Sequence, residues 1–167
     1  MRNFNDNSNA VKIQLTLISK TNQDYLKQGV AEYLKRLQHY CKLEYLEIPD
    51  IKNAKNLSQS EIKKKEGEKI ITGIDRGDTL ILLDENGKSF SSIDFSKQIA
   101  KWQNQSIKRL HFVIGGAYGF DQAVLDRAQS KLSLSAMTFS HQMVRLIFLE
   151  QLYRAHTILK GEPYHHQ

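Results

Sequence analysis

The residues best suited to chemistry in this 167-residue sequence fall in three places, all toward its C-terminal end. Gly115, Gly116 and Gly119 sit in FVIGGAYGF, after an apolar run and before a short helical stretch. Glycine there permits positive φ and lets backbone N–H groups approach a ligand, so the segment suits a ligand loop and a plain tight turn equally. Its spacing is GGxxG, and neither the GxGxxG of dinucleotide folds nor the GxxxxGK(S/T) phosphate loop occurs in the chain. His141 opens the second group, in which Arg145, Glu150 and Arg154 are embedded in an apolar segment. Glu150 and Arg154 are spaced as a helical ion pair, which could fix the helix or hold an arginine for an anionic partner. The third group is the tail GEPYHHQ, where Tyr164 offers a stacking ring and His165 and His166 offer proton-transfer groups; such a tail could equally fray.

Strands alternating with helices must position these groups. Val11 to Ile18 is β-branched and apolar, Thr21 and Asn22 are candidate caps, and Tyr25, Leu26, Val30, Tyr33, Leu34 and Leu37 form one helical stripe. Leu43 to Ile48 reads as a second strand. Ser58 and Glu61 make a capping-box signal for a helix whose charge run, Lys63 to Lys65 with Glu61, Glu66 and Glu68, reads as a solvated face. Thr79 to Leu83 suits a buried strand bounded by Asp84-Glu85-Asn86-Gly87, and a helix with Phe95, Ile99 and Trp102 follows. After the strand at 110 to 114 come a short helix from about Asp121, the apolar stretch LSLSAM, and a last helix from about His141 to Leu159.

This alternation predicts an α/β domain with a mostly parallel sheet and helices on both faces, and ligands in such sheets bind at the carboxyl ends of strands. Three loops are therefore marked: after Leu83, at Gly115 to Phe120, and at Ser135 to Ser140. The last helix carries apolar residues on every side, so it should be buried nearly all round, by its own core and by a second copy of the chain.

Composition narrows the class. With 40% hydrophobic and 25% charged residues the chain is globular, and residues 11–167 suit one domain; the Asn-rich residues 1–10 are expected to be a flexible extension without a signal peptide's apolar core. No stretch is apolar for long enough to span a membrane. The single cysteine, Cys41, forms no internal disulfide, and no Cys/His cluster has zinc spacing, so a cytoplasmic protein without a metal is expected. The net charge of +6 and pI near 9.3 favour a polyanionic partner.

Taken together, FVIGGAYGF at 112 to 120, SLSAMTFSHQMVRLIFLEQLYRAHTI at 133 to 158, the LLD run at Leu82 to Asp84 and the terminal PYHHQ resemble the pseudouridine N3-methyltransferase family of large-subunit ribosomal RNA. The likeness extends from Val11 to Gln167. It implies a SPOUT fold with a C-terminal trefoil knot, which general rules of chain topology would have argued against. It also implies a homodimer, S-adenosylmethionine as cofactor, and ribosomal RNA, within the ribosome, as partner. Carried over by position, the cofactor site comprises Leu83, Gly116, Ser135, Ala136, Met137, Thr138, Phe139 and Ser140. The resemblance and residue chemistry together assign proton transfer to His141 or His165, RNA contact to Arg154 and base stacking to Tyr164, with one subunit's tail available to complete the other's site. Two departures loosen the loops in expectation: Ala117 and Ser140 stand where many relatives carry proline. The competing readings are a cofactor-free RNA- or ribosome-binding protein of the same fold, and a methyltransferase of this fold acting on another nucleoside.

Overall fold

The computed structural model describes residues 11–166, so the extension at residues 1–10 and the terminal Gln167 lie outside the described residues. In chain order the elements are β1 (Lys12–Ile18), α1 (Asp24–Leu37), β2 (Leu43–Ile48), α2 (Gln59–Thr72) and β3 (Asp78–Ser89), followed by α3 (Ser92–Gln103), β4 (Arg109–Ile114), α4 (Gln122–Arg127), β5 (Ser130–Ser133) and α5 (Met143–Leu159). The five strands pair only in parallel, in the order β2-β1-β4-β3-β5. Parallel strands need crossovers, and these place helices on both faces. Alternation along each strand then splits the core in two. Ile13, Leu15 and Leu17 of β1 with Phe112 of β4 pack under α1, α3 and α5, whereas Ile18, Leu80, Leu82 and Val113 face α2 and α4.

Several sequence expectations hold with physical detail. Ser58 caps α2 by accepting from the Glu61 N–H at 3.2 Å, and the Glu61 carboxylate accepts from the Ser58 N–H at 2.7 Å, the reciprocal pair of a capping box. Others are corrected. Neither Thr21 nor Asn22 caps α1, which starts after Gln23, because the Thr21 side chain is occupied by Glu47 and Arg145 and the Asn22 N–H donates to Gln142. The Asp84-Glu85-Asn86-Gly87 segment does not end β3. The strand runs on to Ser89 through an irregularity in its register with β5 between Leu83 and Lys88. Gly87 makes that possible, since a Cβ there would lie 2.6 Å from the backbone N of Leu132.

The last helix is not buried on all sides within one chain. Phe148, Leu149, Leu152 and Ala155 enter the core, while Met143, Ile147 and Ile158 are half-buried and Leu159 is 42% exposed. Its most deeply buried charged residue is Arg145, with no exposed surface. That guanidinium donates to the carbonyls of Ile18 (2.7 Å), Ser19 (3.1 Å) and His141 (3.2 Å) and to the hydroxyls of Ser19 and Thr21 (3.0 Å each), with Glu47 at 3.5 Å. Each buried donor is thereby paired, which is the condition for keeping a cation in the interior. The other polar cluster, at the opposite ends of the strands, joins Asp78 to Arg109 and His111 to Thr16 at 2.8 Å. Burial, with Arg109 beside it, pulls His111 down to about 4, so it sits there as a neutral imidazole.

Two substitutions test these joints. Gly87→Ala should destabilise the protein by about 1–3 kcal/mol, the usual cost of forcing atoms into a packed site, read as a lower denaturant midpoint. Arg145→Ala should cost more, about 3–5 kcal/mol, because it strands buried acceptors and Glu47 together. A denaturation curve matching the unmodified protein would show that these contacts carry no weight.

Candidate functional site

A cavity of about 530 Å³ opens at the carboxyl ends of β4 and β5 and beside the part of β3 that begins at Leu83, where its register with β5 shifts. Its volume is that of a small-molecule site. The wall comes from the three segments marked in the sequence, two of them loops and the first the irregular middle of β3. Leu83 to Asn86 close one side, Gly115 to Ala117 with Gly119 and Phe120 a second, and Leu132 to Ser135 with Met137 to His141 and Val144 the third. The sheet explains the convergence: β3 lies between β4 and β5, so their ends are adjacent in space although distant in sequence.

Seven of the eight residues expected to hold a cofactor line the cavity: Leu83, Gly116, Ser135, Met137, Thr138, Phe139 and Ser140. Ala136 does not. The Ser135 hydroxyl accepts from the Met137 N–H at 2.9 Å, a tight local turn in which Ala136 is exposed. Thr138 reaches Glu85 at 3.4 Å and so links two of the loops. Ser140 has a role beyond lining, because its hydroxyl accepts from the Met143 N–H at 3.2 Å and satisfies a donor at the start of α5. A proline there could not do so. Of the turn glycines only Gly119 has positive φ (79°). Gly116 instead gives room to a neighbour, since a Cβ would meet the Glu66 carboxylate at 2.7 Å and would have to displace it.

Among the described residues lining the cavity there is no lysine or arginine. Asp84 and Glu85 supply negative charge, with Lys131 3.9 Å from Asp84. Tyr118, Met137 and Phe139 are exposed around the opening. A cavity with carboxylates at the edge, small residues and exposed backbone in its walls, and apolar Ile114 and Leu132 beneath fits a cationic ligand with an apolar portion. Asp84, Glu85 and Asn86 line the site where the sequence had marked a ligand loop after Leu83, although they belong to β3 and are not a loop following it.

The residues assigned to proton transfer and RNA contact separate into two places. His141 lines the cavity, half-buried; desolvation and the nearby Arg145 hold its pKa below the usual histidine value, against an opposing pull from Asp50. Arg154, Tyr164 and His165 form a second cluster on α5. Arg154 donates to Glu150 (3.0 Å from Nε), lies 3.3 Å from His165 Nδ1, and stacks 4.7 Å from the Tyr164 ring centre. Tyr164 donates to Glu150 at 3.2 Å and meets the Tyr33 hydroxyl at 3.1 Å. Burial, together with Tyr33 and Glu150, pushes the Tyr164 phenol above its ordinary value, so it stays protonated. The tail therefore folds back on the helix, and Glu150 orients both Arg154 and Tyr164. Arg154 lies ten residues beyond the cavity-lining Val144, about 15 Å along the helix axis at 1.5 Å per residue.

Among the described residues no helix is long and apolar enough to cross a membrane, and no three His, Cys, Asp or Glu side chains are grouped to hold a metal ion. Comparison with known proteins gives a consistent result. The family model described as a predicted SPOUT methyltransferase matches residues 11–165. A protein of Christiangramia forsetii named ribosomal RNA large subunit methyltransferase H is 57% identical over 155 residues, covering 93% of this chain and 99% of that one. A protein of the same name from Flavobacterium johnsoniae is 55% identical over 157 residues, covering 94% and 100%. In structure, a probable methylase family protein from Haemophilus influenzae shares the fold with a TM-score of 0.52 at 11% identity, over 94% of this chain and 71% of that one. Matched along nearly all of its length by the family model and by relatives more than half identical to it, this chain belongs to the SPOUT methyltransferase family.

Proposed function

We propose that the protein transfers the methyl group of S-adenosylmethionine to large-subunit ribosomal RNA, with N3 of a pseudouridine as acceptor. The observation that carries the reading is the convergence of Leu83, Gly116, Ser135 and the segment Met137 to Ser140 on one cavity of about 530 Å³, in a chain of this family. The printed names of its relatives supply the ribosomal RNA. The residues present fit the cofactor: carboxylates but no cationic side chains line the cavity, which suits a positively charged sulfonium.

When bound, S-adenosylmethionine supplies an electrophilic methyl carbon. The protein's tasks are to align the acceptor and to manage the imide proton on N3. Alignment contributes up to about 7–11 kcal/mol in favourable cases, against about 10²–10⁴ in rate for a positioned base, so holding the two reactants is the larger task. Backbone groups of the glycine turn and the 135–140 loop do the holding. His141, at the cavity and kept neutral by burial and Arg145, can accept a proton at its ring near neutral pH. Arg154 carries a permanent charge for phosphate or base, and the Tyr164 ring can stack on a splayed base.

The separation of about 15 Å between the cavity and the Arg154 cluster along one helix supports a homodimer packed through α5, in which one protomer's tail completes the cavity of the other. The half-buried Met143, Ile147 and Ile158 on that helix offer the apolar contact such a dimer requires.

Mass spectrometry of large-subunit RNA from cells with and without the protein reads reaction and target at once, and an unmethylated pseudouridine should appear in its absence. Arg154→Ala should lower methyl transfer by about ten- to a hundredfold, the 1.5–3 kcal/mol of a charge-assisted hydrogen bond, with S-adenosylmethionine affinity kept. Deleting residues 163–167 should abolish transfer while leaving dimer and cofactor binding intact; wild-type rates from the truncated protein would refute a role for the tail. Affinity for RNA should also fall steeply with added salt as counterions are released.

A further inference from the structure

Glu66 is the one carboxylate buried behind the cavity wall. It lies on α2, only 9% exposed, within a charge run that otherwise faces solvent. Its Oε2 is buried and has no hydrogen-bond partner. Both oxygens sit where a side chain at residue 116 would go, 2.7 and 2.8 Å from the position a Cβ would take. Gly116 itself lines the cavity, so the carboxyl group stands one glycine away from the ligand space. A buried carboxylate oxygen without a partner is costly.

We propose that Glu66 is the counter-charge of the cofactor site: a carboxyl group that gives up its proton when a cationic ligand fills the cavity, and so favours the sulfonium cofactor over its neutral thioether product. The inference rests on the reading of S-adenosylmethionine as cofactor. The charged surroundings agree with it. Desolvation, and after it Asp50 in the loop before α2, hold the Glu66 pKa above the ordinary carboxylate value, while Lys69 one turn along the helix pulls the other way. Asp121, at the head of α4, lies beside Gly67, and His141 faces the cavity from the last loop within the influence of the same Asp50. The glycine turn between carboxyl and cavity, Gly115 to Gly119, contains no charged side chain. With the cavity empty, Asp50 and desolvation favour the proton on Glu66. A positive charge across the glycine turn favours its loss.

The sign follows from linkage. The ligand binds the ionised form more tightly, so affinity rises as pH climbs through the raised pKa and levels off above it, with protons released within that window. For each unit by which the ligand lowers this pKa, the ionised protein binds it about tenfold more tightly than the protonated one.

The test is calorimetric titration of the full-length protein with S-adenosylmethionine and with S-adenosylhomocysteine, between pH 5 and 8, in buffers of different ionisation heat. S-adenosylmethionine should bind with proton release and an affinity that strengthens by up to about tenfold per pH unit in the titration window. S-adenosylhomocysteine, which lacks the sulfonium charge, should show a flatter profile. In Glu66→Gln, nearly identical in shape, the difference between the two ligands should shrink and the excess proton release should vanish; any release left is that of His141. Equal proton release from Glu66→Gln and the unmodified protein would overturn the proposal, as would equal pH slopes for the two ligands on the unmodified protein, a comparison that needs no variant. Binding of S-adenosylmethionine without a pH slope removes only the role of Glu66, whereas no binding at any pH removes the cofactor reading and this proposal with it.

Discussion

The Arg145 guanidinium is the interaction on which the geometry of the site depends. It is fully buried at the beginning of α5 and takes five acceptors from two segments far apart in the sequence, Ile18 to Thr21 at the end of β1 and His141 before the helix. A lysine could deliver the charge but not a planar fork of donors to carbonyls and hydroxyls on several sides. The consequence reaches the chemistry, because the last loop of the cavity ends at His141 and its exit direction is fixed by this clamp. Gln142 adds a second stitch by donating to the Lys20 carbonyl at 3.0 Å and accepting from the Asn22 N–H. The loop that walls the cavity is thus pinned at its downstream end to the end of β1.

A cavity built this way owes little to the identity of its side chains. Loop ends at parallel strands present backbone N–H and C=O groups that no ladder consumes, and small residues keep them accessible. Gly116, Ser135 and Ala117 suit that role. Side chains then add charge at the edges, Glu85 in the open, Asp84 half-buried and Glu66 behind the glycine turn. The electrostatics of the site come from what has been left out as much as from what is present. In a protein with a net charge of +6, the cations lie elsewhere on the surface and not along this cavity.

Much of this was legible in the sequence. Period-two and period-3.6 patterns gave the α/β alternation, the strand-end rule gave the three loops, and the Ser58 and Glu61 box was readable at its exact spacing because capping is local chemistry. What escaped was non-local. Thr21 has the composition of a helix cap but serves Arg145, and only the packing of α5 against β1 decides between these uses. Gly87 follows Asp84, Glu85 and Asn86 and so looked like the end of a strand; in the sheet it is the residue that lets β3 continue past β5. Glu66 read as one more charge on a solvated helix. The hint was Gly67 beside it, an unfavourable residue inside a helix that here allows Asp121 to pack closely. The knot and the reacting nucleoside rest on family resemblance, since no periodicity encodes either.

The arrangement of α5 ties these threads together. One helix must serve as core on the side of Phe148 and Leu152, wall the cavity with Val144, and carry Glu150 and Arg154 for the tail. Those tasks compete for a limited circumference, and the sequence resolves the competition by length: cavity functions occupy the first turn and tail functions the third and fourth. A rigid helix cannot bring them together, because its rise keeps them about 15 Å apart. Tyr33 and Glu150 hold Tyr164 to the helix instead of letting it extend toward the cavity of its own chain. His141 and the Arg154–Tyr164 cluster therefore stay apart within one chain, and it is this separation on which the proposed homodimer rests.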